Sequence, residues 1–289
     1  MTIHAYAKIN LNLLLAVRRP DGYHPINTFM VRVNVFDTLE AESTKDGTIS
    51  LQIRGDDLLT PGPDNLVVRA AAALQAHAGT PLGASITLRK MIPQGAGLGG
   101  GSSNAAATLL LLQRLWNLRV ETEALAMIGS TLGSDVPFFL QPHAARGIGR
   151  GEILEPVPLG DLPWAVLIHP GFASPTAGAY SAYARDPRPG PRGSPLQLSK
   201  KDGSALEIIP QNDLEPAVEQ RFPWVASARE WIARQPGILA ARMSGSGSTV
   251  FGLFNSEPLA RDASLRAREY FGPESWIQTA RLLSGNGSV

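Results

Sequence analysis

The segment between residues 93 and 103, PQGAGLGGGSS, constrains this 289-residue chain more than any other. Five of its seven central residues, 95–101, are glycine. The alternating pattern of residues 84–92 predicts a strand before it, and the Ala- and Leu-rich run after it predicts a helix beginning at Ser102 and Ser103. Because glycine weakens regular structure, this run indicates a loop whose backbone comes close to a ligand or to another part of the chain.

An anion fits such a loop, because glycine has no Cβ to keep the backbone N–H groups away from a ligand. The N-terminus of the following helix adds free N–H donors and the positive end of the helix dipole. The hydroxyls of Ser102 and Ser103 can reach a phosphate, or a metal ion bound to it. The sequence therefore predicts a site for the phosphates of a nucleotide.

Established nucleotide motifs match this loop only in part. Gly95, Gly97 and Gly100 satisfy G-x-G-x-x-G, but the acidic residue expected about 20 residues later at the end of a second strand is missing. Glu121 and Glu123 instead fall at the start of another predicted helix. The P-loop lysine and the H-R-D and D-F-G motifs of protein kinases are also missing. On this motif alone, a nicotinamide-dependent oxidoreductase stays an alternative.

Composition excludes several other classes. The chain has no cysteine, which excludes disulfides, thiolate metal sites and a cysteine nucleophile. With 44% hydrophobic and 18% charged residues it can form a sizeable core, and its formal charge of +1 offers no overall attraction for nucleic acid or anionic membrane. Its apolar runs are too short or too interrupted to span a bilayer. We expect a cytoplasmic protein that binds neither nucleic acid nor membrane.

Strand and helix patterns alternate along the chain without an internal repeat, which predicts a mixed α/β protein. Asp64 and Asn65 predict the cap of a helix that Gly79 ends. A Gly- and Pro-rich stretch around residues 145–163 suggests the boundary between two domains, 1–155 and 156–289. The stretch 185–204 is rich in Pro, Gly and charge, and predicts a surface loop or a partly disordered insertion.

Five segments together resemble a known family. PQGAGLGGGSSNAAA resembles the central motif of the GHMP kinases, a superfamily that includes galactokinase, homoserine kinase and mevalonate kinase. With this motif, four further segments resemble the 4-diphosphocytidyl-2-C-methyl-D-erythritol kinases in the family's order: AYAKINLNLLLAVRRPDGYH, LGSDVPFFL, QNDLE and RMSGSGSTVF. A kinase for another small alcohol, of the homoserine or mevalonate type, and a non-catalytic RNA-binding module stay alternatives.

The resemblance implies an α+β, two-domain GHMP-kinase fold. Its N-terminal ATP domain would be ribosomal-protein-S5-domain-2-like and its C-terminal αβ domain ferredoxin-like, with the active site in the cleft between them. The implied reaction is ATP-dependent phosphorylation of the 2-hydroxyl of 4-diphosphocytidyl-2-C-methyl-D-erythritol, in the non-mevalonate pathway to isoprenoid precursors. It implies ATP and Mg²⁺ as cofactors, a small-molecule substrate, and a monomer or weak homodimer.

The resemblance also implies the site residues, with no metal ligand assigned on the protein. Lys8 and Asp135 match the catalytic pair, in which Asp135 accepts or orients the hydroxyl proton and Lys8 keeps Asp135 ionised. Taken alone, an Asp before Val-Pro-Phe-Phe could simply end a helix. The implied ATP-binding residues are Pro93, Gln94, Gly95, Ala96, Gly97, Leu98, Gly99, Gly100, Gly101, Ser102 and Ser103, with Asn65, Leu66 and Lys90 at the adenine. The implied substrate-binding residues are Asn10, Tyr23, His24, Thr176, Tyr180, Ser244, Gly245 and Ser246.

Overall fold

Two long strands at the start of the chain organise the structure, a computed structural model that describes residues 1–20 and 22–285. Buried and more exposed side chains alternate near one end of each strand, whereas residues 7–11 and 28–33 are buried on both faces of the sheet. The strands are β1 (Thr2–Leu15), β2 (Ile26–Thr44), β3 (Ile49–Arg54), β4 (Gly83–Arg89), β5 (Ala144–Gly149), β6 (Ile153–Val157), β7 (Trp164–His169), β8 (Leu196–Ser199), β9 (Ala205–Ile208), β10 (Gln211–Asn212), β11 (Ile238–Met243), β12 (Val250–Phe254) and β13 (Trp276–Leu283). The helices are α1 (Leu66–Ala78), α2 (Gly100–Leu115), α3 (Thr122–Leu132), α4 (Val136–Leu140), α5 (Thr176–Arg185), α6 (Glu215–Arg221), α7 (Pro223–Ala233) and α8 (Glu257–Phe271).

One sheet of eleven strands runs through the described residues. Its main path is β10-β1-β2-β13-β7-β12-β11, while β4 and β5 pair with other parts of the long strand β2. The last strand, β13, pairs with both β2 and β7, and the short strand β10 pairs with β1. Strands from late in the chain are therefore built into the sheet that the first strands begin.

Helices bury the apolar faces of this sheet in separate clusters. Side chains of α1 to α4 pack with β1, β2 and β4 in one cluster, where Leu74 and Leu112 are fully buried. Side chains of α6, α7 and α8 pack with β7, β11 and β12 in another, around Ile232 and Phe254. The cleft described below opens where elements of these two regions meet.

The ends of the first two helices test the sequence signals. Asn65 caps α1 by accepting a hydrogen bond from the backbone N–H of Val67 at 3.0 Å, and Gly79 ends the helix in a left-handed conformation, as predicted. The prediction that α2 begins at Ser102 and Ser103 is wrong, because α2 begins at Gly100. The left-handed Gly99 (φ 69°) is its N-cap, so loop glycines themselves form the first turn.

The prediction of a loop or insertion over residues 185–204 is wrong for its second half. Residues 196–199 form β8, which pairs with β9 in a two-stranded sheet, and Leu196 and Leu198 are buried. The alternation of Leu196, Gln197 and Leu198 is a strand signal that the flanking Pro, Gly and Lys residues obscure. The domain boundary predicted after residue 155 falls within β6 and stays a prediction.

Within the described part of the chain, no helix combines the length and apolar character that a membrane crossing requires.

Candidate active site

A cleft of about 1420 Å³ brings together segments from both halves of the chain. Of the residues that the sequence predicts for the site, only Ser103 and Ser244 do not line it. Both of these serines are buried elsewhere in the packing. The predicted residues that line the cleft are Lys8, Asn10, Tyr23, His24, Asn65, Leu66, Lys90, Pro93 to Ser102, Asp135, Thr176, Tyr180, Gly245 and Ser246.

The glycine loop has the backbone geometry of an anion site. Gly95, Gly97 and Gly99 have φ values of 59°, 75° and 69°, and they alternate with Ala96 and Leu98, whose φ is not positive. Alternation between left- and right-handed conformations turns successive N–H groups toward one concave side, which makes a cradle for phosphate oxygens. The N-terminus of α2 follows directly and adds its unbonded N–H groups. This loop fits the phosphates of ATP.

The two predicted catalytic residues lie together beside the glycine loop, where the backbone N–H of Lys8 donates a hydrogen bond to the Leu98 oxygen at 2.9 Å. Lys8, in β1, is buried, and its Nζ lies 3.4 Å from Oδ2 of Asp135. The Lys8 ammonium also donates a hydrogen bond to Oδ1 of Asn10. Asp135 starts the short helix α4 rather than ending a helix, and its carboxylate makes no capping bond there. The carboxylate therefore faces the cleft with the Lys8 ammonium as its counter-ion.

Arg32, which the sequence reasoning missed, holds the helix that follows Asp135. Its Nη2 donates hydrogen bonds to the backbone oxygens of Phe138 at 3.0 Å and Phe139 at 2.9 Å. Burial lowers the pKa of the Arg32 guanidinium to about 10, so it is still charged at neutral pH. A buried arginine inside the apolar alternation MVRVNV was the available signal, because such a charge requires a partner.

Tyr180 lies close enough to Asp135 for their charges to interact. Burial, together with the nearby Asp135 carboxylate, raises the pKa of the Tyr180 phenol to about 12. The phenol therefore stays protonated and can donate a hydrogen bond near the catalytic carboxylate. Thr176, one turn earlier on α5, makes a 2.9 Å hydrogen bond between its hydroxyl and that of Ser246.

His24 and Tyr23 form the far end of the cleft. The Nδ1 atom of His24 lies 3.0 Å from the backbone oxygen of Ala16, which assigns the proton to Nδ1 and leaves Nε2 as an acceptor. Nε2 is buried and has no hydrogen-bond partner among the described residues. The guanidinium of Arg150 lies 4.8 Å from the centre of the Tyr23 ring. This end offers an acceptor beside an exposed aromatic face.

Two of the residues predicted at the adenine have partners within the protein. Lys90 pairs with the fully buried Asp37, and its Nζ also lies 3.3 Å from Oδ1 of Asn104. Asn65 caps α1. Both residues line the cleft, and their contact with ATP stays a prediction.

Several polar residues that line the cleft were not found from the sequence, among them Arg18, Arg150, Arg185 and Thr28. Glu152 also lines the cleft, and its carboxylate lies 3.9 Å from the Arg150 guanidinium. Thr28 accepts a hydrogen bond from Nδ2 of Asn10 at 2.8 Å and so fixes the amide that contacts Lys8. Within residues 1–20 and 22–285, no group of three His, Asp or Glu side chains could hold a metal ion.

The QNDLE segment binds backbone groups beside the cleft rather than lining it. Nδ2 of Asn212 donates to the backbone oxygens of Met243 and Gly245, each at 2.8 Å. Oε2 of the fully buried Glu215 accepts the N–H of Met243 at 2.8 Å. Burial raises the pKa of Glu215 to about 7, against the opposing effects of the Met243 N–H and the arginines nearby, Arg242 and Arg229.

Glu215→Gln should therefore change the pH dependence of stability. A raised pKa in the folded state contributes stability that is present below the unfolded value, near 4.5, and is lost as the pH rises through about 7. From pH 4.5 to 8 the wild type should lose about 3 kcal/mol relative to Glu215→Gln, which does not titrate. Urea unfolding of both proteins at several pH values measures this difference, and a difference that does not change with pH would contradict it.

Comparisons with known proteins agree with this geometry. A model of the GHMP kinases N terminal domain matches residues 65–142, and a model of the GHMP kinases C terminal matches residues 198–272. A 4-diphosphocytidyl-2-C-methyl-D-erythritol kinase from Cereibacter sphaeroides is 44% identical over 96% of this chain and 98% of its own length. One from Methylacidiphilum infernorum is 39% identical over 96% of both chains.

Solved structures decide among the alternatives. A crystal structure of a 4-(cytidine 5'-diphospho)-2C-methyl-D-erythritol kinase superposes with a TM-score of 0.76 at 35% identity, over 99% of this chain and 100% of that chain. A homoserine kinase from Cytophaga hutchinsonii superposes with a TM-score of 0.68 at 17% identity, over 99% and 96% of the two chains, which shows a shared fold alone. The expected GHMP-kinase fold is confirmed, and the nicotinamide-dependent oxidoreductase alternative is wrong. The chain is an ATP-dependent kinase and belongs to the 4-diphosphocytidyl-2-C-methyl-D-erythritol kinase family of the GHMP kinases.

Proposed function

We propose that this protein transfers the γ-phosphoryl group of ATP to the 2-hydroxyl of 4-diphosphocytidyl-2-C-methyl-D-erythritol, in the methylerythritol phosphate pathway of isoprenoid precursor synthesis. The observation that carries this proposal is the Lys8–Asp135 pair, 3.4 Å apart, in the same cleft as the glycine loop. The names of the relatives, about 40% identical over nearly the whole chain, supply the substrate.

The glycine loop and the first turn of α2 would hold the nucleotide phosphates through backbone N–H groups. Mg²⁺ on ATP would neutralise negative charge between the β- and γ-phosphates. Mg²⁺ takes few protein ligands when it is carried by phosphates. Ser102 and Asp135 line the cleft, and their side-chain oxygens could complete its coordination.

In the proposed step, the substrate oxygen forms a bond to the γ-phosphorus, the bond from that phosphorus to the ADP oxygen breaks, and Asp135 takes the hydroxyl proton. A carboxylate is a weak base for an alcohol, so this proton moves late in a loose transition state. Orientation of the hydroxyl is then the larger part of what Asp135 does. Lys8 is the counter-ion of the Asp135 carboxylate and offsets charge on the moving phosphoryl group.

At the substrate end, we assign the cytosine to Tyr23 and His24. An aromatic face and a histidine acceptor suit a planar base with an amino group. Arg18, Arg150 and Arg185 supply positive charge for the diphosphate.

His24→Ala should raise the KM for the cytidine substrate about tenfold or more and change kcat little. The described contacts of His24 are with Ala16 and Tyr183 and not with Lys8 or Asp135, so its loss removes binding that the ground state and transition state share. Steady-state kinetics at saturating ATP measure both constants. An unchanged KM, or a fall in kcat alone, would contradict the assignment.

The proposed function is tested by ADP release from Mg·ATP with and without 4-diphosphocytidyl-2-C-methyl-D-erythritol. Substrate-dependent ADP release, with a phosphomonoester on the 2-oxygen of the product, is the expected result. Folded protein that binds ATP but shows no turnover with this substrate would overturn the proposal. Homoserine and mevalonate serve as comparison alcohols and should not be phosphorylated.

We further propose that a single chain carries the whole site, because the cleft joins phosphate loop, catalytic pair and substrate end without a second copy. Weak self-association would then leave specific activity independent of protein concentration. The use of ATP as donor supports a cytoplasmic location.

A further inference from the structure

Four successive backbone oxygens of the glycine loop, those of residues 95–98, accept hydrogen bonds from outside the loop. The backbone oxygens of Gly95, Ala96 and Leu98 accept N–H bonds from Ser174 at 3.1 Å, Thr249 at 3.2 Å and Lys8 at 2.9 Å. The oxygen of Gly97 accepts a bond from the Ser244 hydroxyl at 2.9 Å. Four successive peptide carbonyls are thus held away from the concave side on which the N–H groups gather.

Two of these four donors belong to the loop between β11 and β12, residues 244–249. Ser244 is fully buried, and its oxygen also accepts the N–H of Asn10 at 3.4 Å. The hydroxyl is therefore committed to backbone groups and is not available to a ligand in the cleft. Its backbone oxygen lies so near Gly97 that a Cβ there would approach to 2.0 Å, so the two loops are in direct contact.

The QNDLE segment holds the start of this loop in turn. Asn212 is buried, and one amide group binds the oxygens of both Met243 and Gly245, which flank Ser244. Its Oδ1 accepts the N–H of Leu214 at 3.0 Å, which orients the amide. A chain of hydrogen bonds therefore runs from Asn212 through residues 243–245 to the carbonyl of Gly97.

We propose that Ser244 and Asn212 are positioning residues. They orient the peptide groups of the glycine loop so that its N–H groups face the nucleotide. This inference rests on the proposed function only in naming ATP as the ligand. It replaces, for Ser244, the substrate contact that the sequence predicts. The proposal gives the QNDLE segment a role in phosphate binding, although no side chain of this segment lines the cleft.

The test compares two ligands that differ only in phosphates. Ser244→Ala should weaken binding of a non-hydrolysable ATP analogue roughly three- to tenfold, the effect of one hydrogen bond, and leave adenosine binding unchanged. Asn212→Asp keeps the shape and the acceptor for Leu214 but removes both donated bonds, and it should show the same selective loss. Calorimetric titration of the full chain measures all four affinities.

Ser264→Ala is the matched control, because Ser264 is a buried serine on α8 outside the cleft, and it should change neither affinity. The proposal would be overturned if Ser244→Ala lost affinity equally for the ATP analogue and for adenosine, or lost affinity for neither. The same selective loss in Ser264→Ala would also overturn it, since any buried serine would then produce the effect. If Asn212→Asp fails to fold, Ser244→Ala decides alone.

These binding measurements do not depend on turnover. A wild type that binds the ATP analogue more tightly than adenosine but phosphorylates no 4-diphosphocytidyl-2-C-methyl-D-erythritol would defeat the proposed substrate and leave this test intact. Intact turnover with no selective loss in Ser244→Ala would defeat the positioning role alone.

Discussion

Asp135→Asn should lower kcat by about 10²- to 10⁴-fold, the range that a positioned acid or base contributes. The amide keeps the shape of the carboxylate but cannot take the hydroxyl proton, and it gives the buried Lys8 a neutral neighbour in place of a counter-ion. Because backbone N–H groups of the glycine loop and of the first turn of α2 would hold the ATP phosphates, binding of ATP should persist. Single-turnover kinetics and an ATP titration on the same preparation separate the two effects.

Asp161→Asn is the control for this change, because it replaces an exposed aspartate outside the cleft and should leave kcat unaltered. A variant Asp135→Asn that keeps more than a tenth of the wild-type kcat would show that the proton goes elsewhere. Loss of ATP binding along with kcat would instead indicate that the carboxylate acts mainly in holding the metal–nucleotide complex.

Gly97→Ala should disrupt both the glycine loop and the loop at residues 244–249 that packs against it. An L-residue at φ 75° costs about 1–2 kcal/mol. The added Cβ would meet the oxygen of Ser244 at 2.0 Å, and overpacking of this kind costs about 1–3 kcal/mol more. The backbone must move, and a displacement on the order of 1 Å at a catalytic site can lower activity about 10²-fold. We expect a fall in kcat/KM of at least that size, with weaker ATP binding.

Gly62→Ala provides the matched control, because a Cβ at Gly62 has no atom within 4 Å and its φ lies outside the left-handed region. It should leave both stability and kcat/KM within experimental error of the wild type. Near-normal ATP affinity in Gly97→Ala would contradict the phosphate-loop assignment, and thermal unfolding of the same sample would show whether the fold itself had been lost.

Local signals predicted what depends on neighbours in sequence. The cap at Asn65, the stop at Gly79 and the glycine loop are each encoded within a few residues, and the structure places them as expected. Ser102 and Ser103 show what neighbouring residues alone could not predict. Consecutive residues of a helix point about 100° apart, so Ser102 faces the cleft while Ser103 turns into the core.

Long-range contacts could not be predicted in the same way. Arg32 reaches backbone oxygens more than 100 residues away, and Asn212 reaches a loop some 30 residues away. A motif identifies the type of residue at Ser244 but not the direction of its hydroxyl, which only the packing of two loops decides. The sequence therefore predicted residues that line the cleft, including the Lys8–Asp135 pair, but not the side chains that hold them in place.

The insertion of β13 between β2 and β7 has a consequence for synthesis of the protein. Partners in the β13–β2 pairing, such as Leu282 and Val33, lie almost a whole chain length apart in the sequence. The sheet is therefore complete only after nearly all residues have left the ribosome. Until then, part of one side of β2 is an unpaired edge, which is prone to association with other chains. The loop at 244–249 also emerges late, so a nascent chain gains its support for nucleotide binding near the end of translation. Premature termination should therefore yield aggregation-prone fragments rather than a working ATP-binding half.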